Sequence, residues 1–385
     1  MIGFDYSDEL CAVGLFVLFF YAVLKTPNWE FNKTFLFFLG VVAFYTIYSI
    51  LIESNTKRAI FNDLIIQLKP YLGFFCAYQL KPYLDDTKKK IIKDILLLIW
   101  LIFLLPVGLI SLIDDRIMLF AMYHPAYFGV IATIVALCYL YCSDFTWKDK
   151  IIFFIILSIG FCSGRAKFYG FFILAVFMIF FFSSFRQFKL NFKSITLIGS
   201  MLSAMILVAW QKINLYFYQL VSGGANMDDD LIARFVLYRT APEIVKDYFP
   251  FGSGFASFAT HSSGQYYSKI YMEYGIENVW GISKSYTKFV SDTYYPSLAQ
   301  FGIIGIILFI LFWIYITRKA INLYAKSGYT QLKQMITVLL IVGFLAIENT
   351  TISTFIAQGG FFVMMMIGVI FSDMQHDRLK QMNCI

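Results

Sequence analysis

Hydrophobic residues in this chain occur in long runs that are separated by short polar and charged segments. A helix that crosses a bilayer needs about 20 mostly apolar residues, and runs close to that length recur along the whole sequence. They predict an all-α fold, a polytopic transmembrane helical bundle with about eleven spans. The predicted spans cover residues 9–25, 34–52, 60–80, 93–112, 125–142, 151–163, 167–183, 194–212, 297–317, 333–349 and 352–371.

The composition agrees with this interpretation. Of the 385 residues, 59% are hydrophobic and 14% are charged, which is too apolar for a soluble protein of this length. The formal net charge of +7 does not indicate a nucleic-acid partner, because the basic residues lie in short connections where membrane orientation explains them. The expected partner is therefore the lipid bilayer.

Lysine and arginine cluster in alternate connections, which the positive-inside rule places in the cytoplasm. The clusters are Lys81 with Lys88, Lys89, Lys90 and Lys93; Lys148 and Lys150; Arg186, Lys189 and Lys193; Arg318, Lys319, Lys326 and Lys333; and Arg378 and Lys380. An acidic N-terminus then lies outside and the basic C-terminal tail lies in the cytoplasm. Lys57 and Arg58, which this scheme places outside, are a mild exception.

This topology divides the chain into three regions. Residues 1–212 form an N-terminal transmembrane bundle of about eight helices. Residues 213–296 form one large extracytoplasmic loop with amphipathic helices, and residues 297–385 form about three further transmembrane helices and the tail. A loop of this length between membrane helices is usually functional.

The third predicted span carries a charge that is costly in a bilayer. Lys69 is followed by Pro70 near the middle of this span. Such a placement indicates the wall of a cavity or a broken helix. The alternative is a helix that lies partly in the membrane interface, with the lysine ammonium reaching the polar region.

The sequence carries no nucleotide-binding motif and no metal-binding cluster. It has no GxxxxGK[ST] pattern, and residues 252–254 lack the third glycine and the strand-to-helix setting of a dinucleotide fold. His124, His261 and His376 are too scattered to hold a metal ion. We expect no metal and no cofactor. His124, which precedes Pro125, is typical of a residue that begins a helix, and a functional role is the alternative.

The large loop contains an amphipathic helical pattern from Leu231 to Tyr248, preceded by three aspartates at 228–230. The aspartates favour the helix N-terminus, with a divalent cation as the alternative ligand. Arg234 and Arg239 lie on this helix, outside the cytoplasm, where arginine is scarce. They suit a phosphate group, or contact with lipid headgroups.

A second pair of outer cations lies in the tight turn between the predicted spans 151–163 and 167–183. The turn contains Arg165 and Lys167. Guanidinium groups bind phosphoryl oxygens through two parallel hydrogen bonds, and a lysine adds a point charge. The turn therefore suits a pyrophosphate, although a simple turn between two helices is the alternative.

Several segments together resemble a known family. They are an arginine-led helix at 234–239 (RFVLYR), a proline and G-x-G-x-x-x-F stretch at 249–258 (FPFGSGFASF), a polar-aromatic entry into a span at 291–298 (SDTYYPSL) with 301–305 (FGIIG), and the turn at 163–165 (SGR). Their order and predicted membrane side resemble those of Wzy-type O-antigen polymerases, in the O-antigen ligase and polymerase superfamily. The resemblance covers the whole topology, but its motifs occupy about a quarter of the chain.

The resemblance implies a glycosyltransferase in the bacterial inner membrane. It would polymerise undecaprenyl-pyrophosphate-linked repeat units into O-antigen or capsular polysaccharide at the periplasmic face, without nucleotide sugar or metal. The expected pyrophosphate-binding residues are Arg165, Lys167, Arg234 and Arg239. The expected catalytic residues are Asp292, His261 and Glu348, as base or orienting group, together with Arg234. Tyr294 and Tyr295 are expected to contact the sugar.

Two alternative functions remain. The related ligases transfer a finished glycan to an acceptor, but their pattern has a histidine before the span that follows the loop, where this chain has Ser291 and Asp292. A transporter or flippase would show inverted repeats and several charges at mid-membrane, of which the sequence offers only Lys69. Asp292 itself suits helix capping as well as catalysis. A chain-length regulator protein is a candidate partner.

Overall fold

The computed structural model describes residues 7–27, 29–184, 196, 229–327 and 330–383, and the regular secondary structure in this part of the chain is helical. The principal helices are α1 (Ser7–Lys25), α2 (Lys33–Leu51), α3 (Lys57–Leu80), α4 (Asp86–Ser111, with a π-helical turn at Trp100–Leu104), α5 (Asp115–Met122), α6 (Pro125–Cys142), α7 (Trp147–Ser158), α8 (Ala166–Ser184), α9 (Asp229–Asp247), α10 (His261–Gln265), α11 (Ile270–Glu273), α12 (Gly302–Lys326), α13 (Leu332–Glu348) and α14 (Gln358–Asn383). Short 3₁₀ turns cover Ile159–Ser163, Tyr295–Phe301 and Thr354–Ile356.

The all-α prediction is confirmed for the described residues, and each predicted span within them overlaps a helix. By length and hydropathy, five candidate spans cross a membrane. They are Ser7–Lys25, Lys33–Leu51, Asp86–Ser111, Pro125–Cys142 and Tyr295–Lys326, with Ala166–Phe182 as a shorter apolar helix. These helices are consistent with insertion into a lipid bilayer, and the larger number of spans stays a prediction.

Part of the predicted topology cannot be compared with the structure. Apart from Thr196, the span predicted at 194–212 lies outside the described residues, and so does the start of the predicted loop at 213–228. The basic cluster Arg186, Lys189 and Lys193 also lies outside them.

The contacts group the chain into two compact units. The first comprises the described residues within Met1–Lys81, Phe217–Ile316 and Glu348–Gly368, and the second those within Pro82–Tyr216, Thr317–Ile347 and Val369–Ile385. Each unit is thus assembled from segments that are far apart in sequence. The division into bundle, loop and C-terminal helices describes membrane topology and stays a prediction.

In the first unit, α3 is continuous through Pro70, so the prediction of a broken helix is wrong. Lys69 is buried and pairs with two carboxylates at the start of α1: its Nζ contacts Asp8, and it lies 2.7 Å from Glu9 Oε1. A buried cation is tolerated where opposite charges surround it. The position is therefore a charge cluster between two helices.

The first unit also contains a separate hydrophobic core in the region after α8. Ala233, Leu237 and Ile244 of α9 are buried against Phe258, Tyr271 and other residues of the segment that leads to α12. Their spacing follows one face of a helix, as the sequence pattern predicted. The described part of the predicted loop is thus packed around its own core.

The second unit holds a buried polar contact among its helices. Lys89 Nζ of α4 lies 2.6 Å from Asp373 Oδ2 of α14, and the Tyr141 hydroxyl of α6 donates to the same oxygen at 2.9 Å. Asp373 is fully buried. Two donors from two helices therefore stabilise one carboxylate on a third.

Candidate functional site

The first unit brings Arg234 and Asp292 into direct contact, although 58 residues separate them in sequence. Arg234 Nε lies 2.7 Å and Nη2 lies 2.5 Å from Asp292 Oδ2. The buried face of α9 orients this helix against the segment before α12, and Arg234 lies beside that face. The side chains are 18% and 26% exposed, so the pair lies at the edge of the packed core.

The segment that carries Asp292 is attached to the turn after α13. The Tyr294 amide donates to the Asn349 carbonyl at 3.3 Å, and the Ser353 hydroxyl donates to the Ser291 carbonyl at 2.7 Å. The Tyr238 hydroxyl of α9 donates to a carbonyl in the same turn, that of Thr350, at 2.9 Å. Three stretches of chain therefore converge beside the Arg234–Asp292 pair.

Glu348 belongs to the same neighbourhood. It is the last residue of α13, it is 3% exposed, and its carbonyl accepts from the Thr351 and Ile352 amides as the chain turns. Its neighbour Asn349 contacts Tyr294, as described above. The structure thus gathers four of the predicted site residues, Arg234, Asp292, Tyr294 and Glu348, in one region of the first unit.

Tyr294 is buried in an aromatic cluster. Its ring centroid lies 5.6 Å from that of Phe309 and 5.3 Å from that of Phe355. Burial raises the pKa of the Tyr294 hydroxyl well above its usual value, so this hydroxyl stays protonated. Tyr295 is half-buried with its ring 6.3 Å from that of Tyr294. The prediction that both tyrosines contact a sugar is untested.

An apolar groove with a volume of about 290 Å³ begins at the same tyrosine. Residues from α2, α3 and α12 line it, among them Phe38, Tyr71, Tyr294, Phe301 and Phe312. Gln67 is one of its few polar lining residues, and its amide nitrogen has no hydrogen-bond partner among the described residues. The groove can hold an extended apolar chain with one end near Tyr294.

The glycine-rich stretch 249–258 forms part of the wall behind this groove. Gly252 has φ +81°, and a Cβ there would lie 2.2 Å from the amide nitrogen of Gly302. The Gly254 amide donates to the Gln300 carbonyl at 2.8 Å, and the Tyr48 hydroxyl donates to the Gly252 carbonyl at 2.9 Å. The motif glycines are therefore needed where two backbones approach closely.

Asp63 was missed by the sequence reasoning. It is fully buried on α3, and its Oδ2 accepts from the Ala256 amide of the glycine-rich stretch at 2.8 Å. The amides of Gln67 and Gln300 face the same carboxylate. The signal was a carboxylate within an otherwise apolar run, one helical turn before a glutamine, and only the fold shows what it contacts.

Two predicted residues of the first unit lie at exposed positions. Arg239 is exposed on α9, five residues after Arg234. His261 is exposed as the first residue of α10, after the N-cap Thr260. Neither is shown in contact with the Arg234–Asp292 pair, so their predicted roles are untested.

Arg165 and Lys167 belong to the second unit. Gly164 ends the 3₁₀ turn with φ +61°, and α8 begins at Ala166, so the two cations flank the start of this helix. Arg165 Nη2 lies 3.3 Å from His124 Nε2. His124 is the N-cap of α6, as predicted, because its Nδ1 accepts from the Ala126 amide at 3.2 Å.

Comparison with known proteins adds no assignment. No family model matches the chain, and no curated protein matches it in sequence. A proposed function therefore rests on the site residues and on the resemblance of the motifs.

Proposed function

We propose that this chain is an integral membrane glycosyltransferase that polymerises undecaprenyl-pyrophosphate-linked oligosaccharide units into O-antigen or capsular polysaccharide. The observation that carries the proposal is the Arg234–Asp292 pair beside Tyr294, at one end of an apolar groove. A guanidinium suits a phosphoryl group, a carboxylate suits a sugar hydroxyl, and an apolar groove suits a polyprenyl chain. A lipid-linked glycan combines all three chemistries.

The charged pair would divide the reaction between its members. A hydroxyl of the acceptor sugar attacks C1 of the donor sugar, and the bond from C1 to the pyrophosphate oxygen breaks. The bonding electrons leave with that oxygen, where the Arg234 fork stabilises the developing charge. The hydroxyl proton passes to the Asp292 carboxylate. One well-placed donor at such a leaving group contributes about 3 kcal/mol to the transition state.

In the proposed topology the site faces the periplasm. The basic connections favour eleven spans across the bacterial inner membrane, with residues 213–296 and the N-terminus outside and the C-terminal tail in the cytoplasm. The candidate spans Ser7–Lys25 and Lys33–Leu51 support the first part of this arrangement. Glycan units that have crossed the membrane on their lipid would then meet the site on that side.

The proposal is tested by deleting the gene and complementing it with variants. We expect the deletion to remove the long-chain glycan ladder while single repeat units are still transferred to the acceptor lipid. Accumulation of full-length polymer on the carrier lipid would instead indicate a ligase, and a normal glycan profile would contradict both.

Variants of the pair then test the site itself. Arg234→Lys keeps the charge but loses the fork, so we expect a partial ladder, whereas Arg234→Ala should lose it. Asp292→Asn should also lose the ladder, because an amide cannot accept the proton. The matched control is Lys246→Ala, which removes an exposed cation from the same helix. Normal ladders in Arg234→Ala and Asp292→Asn, with equal protein in the membrane, would exclude the assigned roles.

A further inference from the structure

Two hydrogen-bond donors meet at the start of α6 in the second unit. The Arg165 guanidinium approaches His124 so that Nη2 lies 3.3 Å from Nε2. A guanidinium donates only. The contact is therefore a hydrogen bond only if Nε2 can accept.

The other ring nitrogen decides this question. His124 Nδ1 accepts from the Ala126 amide as the cap of α6, so Nδ1 carries no proton. In a neutral imidazole the proton then lies on Nε2. The helix cap thus assigns the tautomer in which Nε2 is a donor, and it faces another donor at a distance where the two share one acceptor.

Neighbouring groups favour a negatively charged acceptor. Lys167 adds a second positive charge within two residues of Arg165. The Ser163 hydroxyl precedes the same turn, is buried, and has no hydrogen-bond partner among the described residues. The first amides of a helix also favour an anion near its N-terminus.

We infer that His124 and Arg165 together bind one phosphoryl oxygen, with the histidine as a neutral donor whose orientation the helix cap fixes. This inference deepens the proposed function, since the phosphoryl group would be that of the lipid pyrophosphate. The bland role of His124, a helix cap alone, needs only Nδ1. The phosphoryl role needs Nε2 as well, and a substitution can separate the two.

The experiment uses the full chain in nanodiscs of phosphatidylcholine with inorganic pyrophosphate as the probe. His124→Ser retains a good N-cap but is too short to reach the guanidinium. We expect it to bind pyrophosphate about tenfold to hundredfold more weakly at unchanged thermal stability, because a hydrogen bond to a charged group is lost. Arg165→Ala should weaken binding at least as much. Arg116→Ala, which removes an arginine whose side chain is 87% exposed, is the control and should bind as the wild type does.

Each outcome decides the matter. Wild-type affinity in His124→Ser, or no measurable binding by the wild type, would reduce His124 to a helix cap and overturn the inference. Loss of pyrophosphate binding with a normal glycan ladder in His124→Ser cells would support the anion site and contradict the polymerase. In nanodiscs that contain phosphatidylglycerol, a His124-dependent loss of pyrophosphate affinity would identify a lipid headgroup as the natural source of the phosphoryl group.

Discussion

Replacing Lys69 with methionine tests the buried charge cluster of the first unit. The substitution keeps an unbranched side chain of similar length but removes the cation that faces Asp8 and Glu9. Asp8 is 1% exposed, whereas the Glu9 side chain is 38% exposed. Glu9 can turn away from the vacated position, but Asp8 cannot.

The expected cost follows from this difference in burial. Breaking a buried ion pair by removing one partner costs about 3–5 kcal/mol, whereas an exposed pair contributes about 0–1 kcal/mol. Asp8 Oδ1 already has no hydrogen-bond partner among the described residues, so the remaining carboxylate would lose its main stabilising contact. We expect Lys69→Met to lower the free energy of unfolding by about 3–5 kcal/mol.

Unfolding in mixed micelles, followed by titration with sodium dodecyl sulfate, measures this loss. The double variant Lys69→Met with Asp8→Asn should regain most of it, because no charge then stays buried without a partner. Lys57→Met removes an exposed lysine from the same helix and should leave stability unchanged. A Lys69→Met protein as stable as the wild type, or a double variant that is less stable than the single one, would refute the assignment of a buried ion cluster.

Three further outcomes are expected. Gly252→Ala should fold poorly, because its Cβ would meet a backbone nitrogen at 2.2 Å, whereas Gly275→Ala, with φ +63° and open space, should cost only about 1–2 kcal/mol in melting experiments in detergent. Lys89→Ala should lose about 3 kcal/mol or more by leaving a buried carboxylate without its cation, while the exposed Lys90→Ala should be neutral in the same assay. In a cysteine-free background, Gln265→Cys should react with an impermeant maleimide in intact spheroplasts and Lys90→Cys only after lysis, and the reverse pattern would overturn the proposed orientation.

The helices could be predicted because their signal is local. Long apolar runs bounded by charges correspond to α1, α2, α6 and α12, and His124 before Pro125 was read correctly as a cap. Such signals require only neighbouring residues. The same pattern gave more spans than length and hydropathy support, because shorter apolar helices such as Ala166–Phe182 are not distinguished from full spans by apolar runs alone.

The charge contacts could not be predicted because they depend on the fold. Asp8 and Lys69 are 61 residues apart, and Arg234 and Asp292 are 58 apart. Nothing in either local sequence indicates its partner. Lys69 was recognised as an unusual charge in an apolar run, but the compensating carboxylates lie at the start of another helix, where they also suit an ordinary helix N-terminus.

The glycine motifs show how a resemblance is explained by packing. The stretch that contains Gly252 and the one that contains Gly302 were separate marks of the same family resemblance. In the structure each glycine occupies the space where a Cβ on the other would lie, at 2.2 and 2.4 Å from a backbone nitrogen. One contact therefore accounts for a glycine in both motifs, and sequence alone could not show that they meet.

The Arg234–Asp292 pair changes how the two predicted roles relate to each other. The sequence assigned a cation to the pyrophosphate and a carboxylate to the acceptor hydroxyl as separate functions. Because both guanidinium contacts go to one oxygen, Asp292 Oδ2, a bound phosphoryl group competes with that oxygen for the guanidinium. In the proposed reaction, donor binding would then weaken the hold of Arg234 on the carboxylate. A carboxylate with fewer donors accepts a proton more readily, so binding of the donor would itself prepare Asp292 to act on the acceptor.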